Sequence, residues 1–334
     1  MRAAVLSAYS KTGRDLDLVE VPTPEVGPRE VLIKVHTAGV NPLDNMIVRG
    51  EVRMIVPYRT PLIMGNEFVG TIEKLGADAR GFTVGERVYG RMPLSKIGAF
   101  AEYAAVDVCA IARVPAYLSD EEAACVPLTA CTALQALDLM RPKAGETIFI
   151  SGGTGSLGAM AIPVAKSHGP TVVTNGSAAG RDRVLGLGAD RFIDYRTEDY
   201  AEVLSDVDLV LDTLGDRELA REFAILKRGG TLVSLRGMPN GEFAKRCGMS
   251  ALKRALFTLT GYRLDRMAAK RDQRYRFVFV HEDGTGLQRI SDIFADHRIE
   301  ASVDEVFSLE DVNEALRKVD AGRSRGKTVL RIAR

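Results

Sequence analysis

Long apolar runs, a surplus of one charge and grouped cysteines are all missing from this sequence. No stretch approaches the ~20 consecutive apolar residues that a bilayer span needs. The opening MRAAVLSAYSKTGRDLDLVEV has no apolar core of a secretion signal and soon carries both charges. Both features lead us to expect a cytoplasmic protein. Lysine and arginine number 45 against 44 aspartates and glutamates, so no overall field draws the chain to nucleic acid or acidic lipid. The four cysteines, Cys109, Cys125, Cys131 and Cys247, form no C-x-x-C pair. That argues against a disulfide framework or a thiolate zinc site, and all four are expected to be buried as small apolar residues.

What is present is a globular composition, 46% hydrophobic and 27% charged over 334 residues, which suits two domains better than one core. Residues 1–125 read as β-rich, with short apolar runs at 31–35 (VLIKV), 68–72 (FVGTI), 87–89 and 100–106 (FAEYAAV). Pro22, Pro24, Gly27 and Pro28, then Gly76, Gly81 and Gly85, break these runs and suggest a small, partly closed barrel. From about Val126 the period changes. A helical stretch at 129–139 leads into strands at 147–151, 171–174, 191–193, 209–211 and 231–235. These alternate with helices at 157–168, 181–187 and 218–226, the pattern of a parallel sheet covered on both faces. After Val280 come two further helices and short strands, and the last strand, 327–332, is placed to rejoin the first domain's sheet.

The strongest chemical signal is Thr147-Ile-Phe-Ile-Ser-Gly-Gly-Thr-Gly-Ser-Leu-Gly158. Gly153, Gly155 and Gly158 make G-x-G-x-x-G between a strand and a helix. The first glycine permits a tight turn, the second lets backbone approach a pyrophosphate, and the third brings helix and strand together. The anion then meets unpaired N–H groups at the helix N-terminus. The triplet alone is weak, but in this strand–loop–helix context it predicts dinucleotide binding. NAD sites place an acid at the end of the second strand. Here the chain reads Thr174-Asn-Gly-Ser-Ala-Ala-Gly-Arg181, with Arg183 beyond. Small polar groups followed by arginine favour a 2′-phosphate, hence NADPH.

Beyond this loop, several stretches resemble the medium-chain dehydrogenase/reductase superfamily in its zinc-free quinone oxidoreductase and alkenal reductase branch. They are Ala38-Gly-Val-Asn-Pro-Leu-Asp44, Pro61-Leu-Ile-Met-Gly-Asn-Glu67 through Gly70, Val84-Gly-Glu-Arg-Val88, Pro127-Leu-Thr-Ala130 and Gly326-Lys-Thr-Val-Leu330. The resemblance implies an α/β chain with a GroES-like β-barrel catalytic domain (1–125 and 285–334). A Rossmann doubly wound parallel-sheet domain (126–284) interrupts it, with the active site in the cleft between. It implies a homodimer joined through an edge strand at 275–280 (YRFVFV), and an apolar edge strand does need a partner. Zinc-dependent relatives carry cysteine where Asn41 stands and histidine where Asn66 stands. Neither asparagine is a usual zinc ligand, so no metal is expected.

Carried over residue by residue, the resemblance puts Asn41 beside the nicotinamide ribose and the acceptor, where its amide would donate to a developing oxyanion. Some enoyl reductases of the superfamily have a tyrosine acid near position 52. This chain has Val52 there and Tyr58 a few residues on, which makes Tyr58 the candidate donor or acid. Thr129, Ser156 and Leu157 should approach the phosphates or nicotinamide. Gly176, Ser177, Arg181 and Tyr195 should surround the 2′-phosphoadenosine, Leu214 and Gly215, after the strand ending at Asp212, should bind the cofactor, and Phe279 and Val280 should flank the nicotinamide. Arg323 and Lys327 lie near the cofactor in relatives.

The implied activity is hydride transfer from NADPH to a quinone or an α,β-unsaturated carbonyl. An alkenal or enoyl reductase shares every motif, and a zinc-type alcohol dehydrogenase shares the ancestry. A non-enzymatic alternative is an NADPH-binding sensor or RNA-binding protein using the basic segment 239–276. The balanced charge and the want of interleaved aromatic platforms argue against nucleic acid. The 251–259 stretch (ALKRALFTL) interleaves apolar and basic residues. It reads as a solvated helix covering part of the fold, with a membrane surface as the other option.

Overall fold

The change of period after residue 125 corresponds to a change of architecture in the computed structural model, which describes residues 1–299, 301–322 and 326–332. Contacts divide the chain into Met1–Cys131 with His281–Arg334, and Thr132–Val280. The first division falls inside one continuous helix, which begins at Pro127.

The first unit opens with β1 (Arg2–Leu6), β2 (Asp17–Glu20), β3 (Glu30–Val40), α1 (Pro42–Arg49), β4 (Leu62–Ile63), β5 (Glu67–Leu75), β6 (Arg87–Arg91), β7 (Tyr103–Asp107), β8 (Ile111–Arg113), α2 (Asp120–Ala123) and the start of α3 (Pro127–Met140). The second unit holds β9 (Thr147–Ile150), α4 (Ser156–Lys166), β10 (Thr171–Gly176), α5 (Arg181–Gly186), β11 (Arg191–Asp194), α6 (Tyr200–Val203), β12 (Val207–Asp212), α7 (Asp216–Ile225), β13 (Leu226–Ser234), α8 (Gly241–Arg246), α9 (Ala251–Ala269) and β14 (Arg274–Phe277). The chain then returns to the first unit with α10 (Gly284–His297), β15 (Val303–Ser308), α11 (Val312–Asp320) and β16 (Lys327–Arg331).

Among the described residues, the first unit's main sheet runs β15-β16-β3-β5-β6-β8, with β7 on β3, and a smaller sheet runs β2-β1-β4. In the first half of β3, Val31, Ile33 and Val35 are fully buried, as alternation of side chains across a half-covered sheet requires. β16 pairs antiparallel with β3, Thr328 opposite Val40, so the C-terminal strand is a member of the N-terminal sheet. The pairing of β5 with β6 sets Glu67 opposite Arg91. Directly paired residues share a face.

The second unit is a parallel sheet in the order β11-β10-β9-β12-β13-β14. β9 lies at its centre, and Ile148, Phe149 and Ile150 are fully buried there. Each such side chain contributes roughly 1.5–3 kcal/mol of burial. The helix after β9 buries every residue from Gly158 to Ala165, and its small side chains let it lie close on the sheet. Within Asp120–Met140 an 18-residue window is apolar and long enough to cross a bilayer by composition, but 83% of that window is buried within the protein; it is a core segment.

Two local expectations are corrected, and the helix expected over 251–259 is present. The strand expected over 275–280 stops at Phe277. It is the edge of its sheet, but Tyr275, Phe277, Val278 and Val280 are all buried in the single chain, where Phe243 of α8 meets Phe277 edge-on. The apolar side chains of this edge are thus covered within the chain itself. The basic stretch at 251–259 is the first half of a 19-residue helix, on which Phe257, Gly261, Leu264 and Ala268 face inward. Finally, Cys109 and Cys247 are exposed, and only Cys125 and Cys131 are buried, because the exposed pair sits in a short 3-10 turn and at the end of α8.

Candidate active site

In the second unit the loop from β9 to α4 shows why its glycines are required. Gly152 takes φ +67°, so it makes the left-handed turn expected of Gly153. Gly153 is needed for space: a Cβ there would lie 1.9 Å from Oγ1 of Thr174. A Cβ on Gly158 would lie 2.3 Å from Cα of Gly153, a close helix–loop approach that only glycine allows. Gly155 caps α4, and Ser156 and Leu157 begin it. The N–H groups of such a first turn have no partner within the helix and offer themselves to an anion.

Two residues that sequence reasoning passed over hold this loop and the turn after β12. Asn175, buried at the end of β10, accepts the N–H of Gly152 at its Oδ1 (2.8 Å) and that of Gly153 at its main-chain carbonyl (2.9 Å). Asp212, at the end of β12, accepts the N–H groups of Leu214 and Gly215 (both 2.8 Å) and the Ser234 hydroxyl (2.5 Å). Leu214 is thereby presented to solvent at 48% exposure, and Gly215 is held at φ +91°.

At the next strand ends, Gly176 and Asp194 are paired, which brings Gly176, Ser177 and Tyr195 to one rim. Tyr195 is 58% exposed, with the Arg196 guanidinium 5.9 Å from its ring centre. Arg181, first residue of α5, is exposed, whereas Arg183 donates to the Thr154 carbonyl of the glycine loop. The two arginines thus have different tasks: Arg183 braces the loop and Arg181 is free to meet a ligand. Phe279 and Val280 lie beyond the end of β14, half-buried and buried. Glycine cradle, helix N-terminus and exposed base fit a dinucleotide phosphate.

In the first unit a buried polar cluster surrounds Asn41. Its Nδ2 donates to Glu67 Oε1 (2.7 Å) and to the Gly39 carbonyl (3.2 Å), and its Oδ1 accepts from Lys327 Nζ (2.6 Å). Lys327 also lies 2.5 Å from Glu67 Oε1, and the other Glu67 oxygen accepts the N–H of Leu128 (2.7 Å). Both amide protons of Asn41 are therefore committed within the protein. That corrects the expectation that this amide donates to a developing oxyanion; Asn41 instead positions Glu67 and Lys327. Lys327, buried in the same cluster, is occupied by Glu67 and Asn41, and the Thr129 hydroxyl donates to the carbonyls of Cys125 and Val126. Arg323 lies outside the described residues.

Asp44 completes the cluster, accepting from the Asn41 main chain (2.8 Å) and from Asn66 Nδ2 (2.7 Å). Burial pushes its carboxyl up to about 7, against the opposing effect of those two hydrogen bonds. Charge balance gives the same direction: Lys327 already neutralises Glu67, and a second carboxylate would leave excess negative charge out of water. Asn66 is engaged by Asp44, and among the described residues no group of three or more His, Cys, Asp or Glu is disposed to hold a metal. A zinc ion does not fit these donors.

Tyr58 is half-buried, and burial pushes its phenol up to about 12, with Arg91 opposing. It stays protonated at neutral pH and can donate. Arg91 was not singled out from the sequence, where it reads as one more charge in a barrel strand; it is fully buried.

The comparisons agree with this architecture. The family described as "Alcohol dehydrogenase GroES-like domain" matches residues 27–116 and that described as "Zinc-binding dehydrogenase" matches 187–330. The chain is 30% identical to the mitochondrial NAD(P)H oxidoreductase RTN4IP1 of Danio rerio, over 91% of this chain and 84% of the relative. It is 28% identical to the 2-methylene-furan-3-one reductase of Solanum lycopersicum, covering 93% and 74%. The solved quinone oxidoreductase of Coxiella burnetii superposes with a TM-score of 0.83 at 27% identity, covering 100% of this chain and 99% of that one. The chain belongs to the medium-chain dehydrogenase/reductase superfamily, in its quinone oxidoreductase branch, and is an NAD(P)H-dependent oxidoreductase.

Proposed function

We propose that this protein is a zinc-free reductase that uses NADPH to reduce a quinone or an α,β-unsaturated carbonyl compound. The observation that carries the reading is the state of Asn41 and Asn66. Both stand where zinc-dependent relatives have ligands, and both are tied by hydrogen bonds to carboxylates, Glu67 and Asp44. The relatives' names, a quinone oxidoreductase and a furanone reductase, give the same class of acceptor.

The bound nicotinamide supplies the hydride. The chain's own residues bind and orient. Gly155, Ser156 and Leu157 receive the pyrophosphate on the N-terminus of α4, and Ser177 and Arg181 receive the 2′-phosphate. The acid-free end of β10 supports NADPH over NADH. Tyr58, kept neutral by burial, donates its O–H toward the acceptor oxygen as negative charge grows there. Quinones and enones suit such a site because they are electrophilic enough to need no metal.

The test is an NADPH-oxidation screen over 1,4-benzoquinone, 9,10-phenanthrenequinone and an alkenal, with added zinc and with chelator. Turnover of at least one acceptor, insensitive to both additions, is the expected result. Activity that vanishes with chelator and returns with zinc would overturn the reading.

A further inference from the structure

Arg91 ends β6 with a guanidinium that has no contact with water. Its Nη1 donates to the neighbouring Met92 carbonyl. Among the described residues, its Nε and Nη2 have no partner at all. These two nitrogens form one edge of the guanidinium, along which two N–H bonds run side by side, and that edge matches the two oxygens of a carboxylate.

Among the described residues, no carboxylate of the first unit takes the edge. Glu67 lies directly opposite on β5, but its two oxygens serve Asn41, Lys327 and the Leu128 N–H. Glu282 accepts from the Leu94 N–H (3.1 Å) and makes no ion pair with Arg91. Other arginines of this chain turn to backbone carbonyls where they lack an acid: Arg271 donates to Phe223 (3.0 Å) and Arg276 to Leu139 (2.7 Å). Arg91 does so with one nitrogen only. A buried cation with an unpaired fork is unfavourable unless something completes it. Its electrostatic neighbours Tyr58 and Glu282 are both half-buried.

We propose that Arg91 is the specificity residue of the acceptor site: it receives a carboxylate carried by the acceptor, in a bidentate pair on Nε and Nη2, with the Tyr58 hydroxyl beside it. This rests on the reductase reading above and adds the charge of the substrate, a conjugated carbonyl compound bearing an acid group. Asn41 and Lys327 cannot serve this purpose, because Glu67 already holds both.

Binding is tested first, without turnover, by calorimetric titration of the full chain with benzoate and with its neutral counterpart benzamide. Benzoate is expected to bind at least about 10-fold more tightly. Arg91→Gln should erase that ratio, and Arg91→Lys, which keeps the charge but not the fork, should restore part of it. Turnover of trans-3-benzoylacrylate and its methyl ester with NADPH then reads the same preference as a ratio of kcat/KM. The acid is expected to be favoured about 10-fold or more through KM, and the ratio should fall to near one in Arg91→Gln.

Equal affinity of the wild-type chain for benzoate and benzamide, or no binding of either, overturns the proposal even if both variants fail to fold. So does a ratio that survives in Arg91→Gln. An Arg91-dependent preference for 9,10-phenanthrenequinone without any benzoate preference would also overturn it, since the fork would then serve paired neutral carbonyls. The two readings fail separately. Reduction of 1,4-benzoquinone with no acid preference removes only the carboxylate site. An Arg91-dependent benzoate preference with no acceptor turned over removes only the reductase.

Discussion

Glu67 and Arg91 face each other across β5 and β6, yet the Glu67 carboxylate is paired with Lys327, 2.5 Å away. The nearest acid on the sheet is thus withheld from one buried cation by another. Lys327→Met is expected to leave Glu67 charged and unpaired in the core and to destabilise the protein by roughly 3–5 kcal/mol. Adding Glu67→Gln should recover a large part of that loss. Urea denaturation of the two single variants and the double variant measures the coupling, and additive losses would contradict it.

Asp44 gives stability a pH dependence of known sign. Its carboxyl ordinarily titrates at 3.8 and is pushed up to about 7 in the folded chain. The folded state therefore holds a proton that the unfolded state has released, and stability falls as pH rises through that window. The contribution is fully present below 3.8 and lost above about 7, at a slope of at most roughly 1.4 kcal/mol per pH unit. Asp44→Asn should remove this component. The difference in unfolding free energy between wild type and variant should shift toward the variant from pH 4 to pH 7; a flat difference would mean that Asp44 is ionised throughout.

Gly158→Ala should separate loop from helix, because its new Cβ would fall 2.3 Å from Gly153 Cα, a backbone atom that cannot rotate aside. The expected outcome is loss of NADPH binding by fluorescence titration. Gly145→Ala is the contrasting case: no atom lies within 4 Å of its Cβ position, and φ +85° adds only backbone strain. That variant should lose some stability and retain binding.

Arg181→Ala should weaken NADPH more than NADH. A hydrogen bond to a charged group contributes about 1.5–3 kcal/mol, and solvent at this exposed site reduces it toward the lower end, or roughly a 10-fold rise in the NADPH KM. Arg183→Ala should weaken both cofactors alike, because Arg183 supports the loop carbonyl of Thr154. Equal effects of Arg181→Ala on the two cofactors would assign the 2′-phosphate elsewhere.

Much of this was legible in the residues because it is written locally. Strand–loop–helix spacing around Gly153, Gly155 and Gly158 locates the phosphate loop, since turn, approach and contact all lie within a dozen residues. The switch of hydrophobic period near Val126 locates the change from antiparallel to parallel sheet. What was missed depends on distant partners. Asn41 looked like a free donor because Glu67, which takes its amide N–H from 26 positions away, cannot be seen beside it in the sequence. Gly152, lying just outside the counted triplet, makes the positive-φ turn. Arg91 and Asp212 carry no spacing signal; their burial alone reveals them. The resemblance carried the strand at 275–280 three residues too far, since its end at Phe277 has no local mark in the residues.

The pairing of β16 with β3 has a consequence for how this protein is assembled. Residues 132–280 are threaded between two halves of a single sheet, and the cation that neutralises Glu67 sits on the later half. During synthesis the earlier half must wait, its acid uncompensated, while the whole nucleotide-binding unit emerges. A fragment ending at Cys131 would hold Asn41 and Glu67 but no lysine between them, so the barrel becomes a finished fold only when its closing strand arrives.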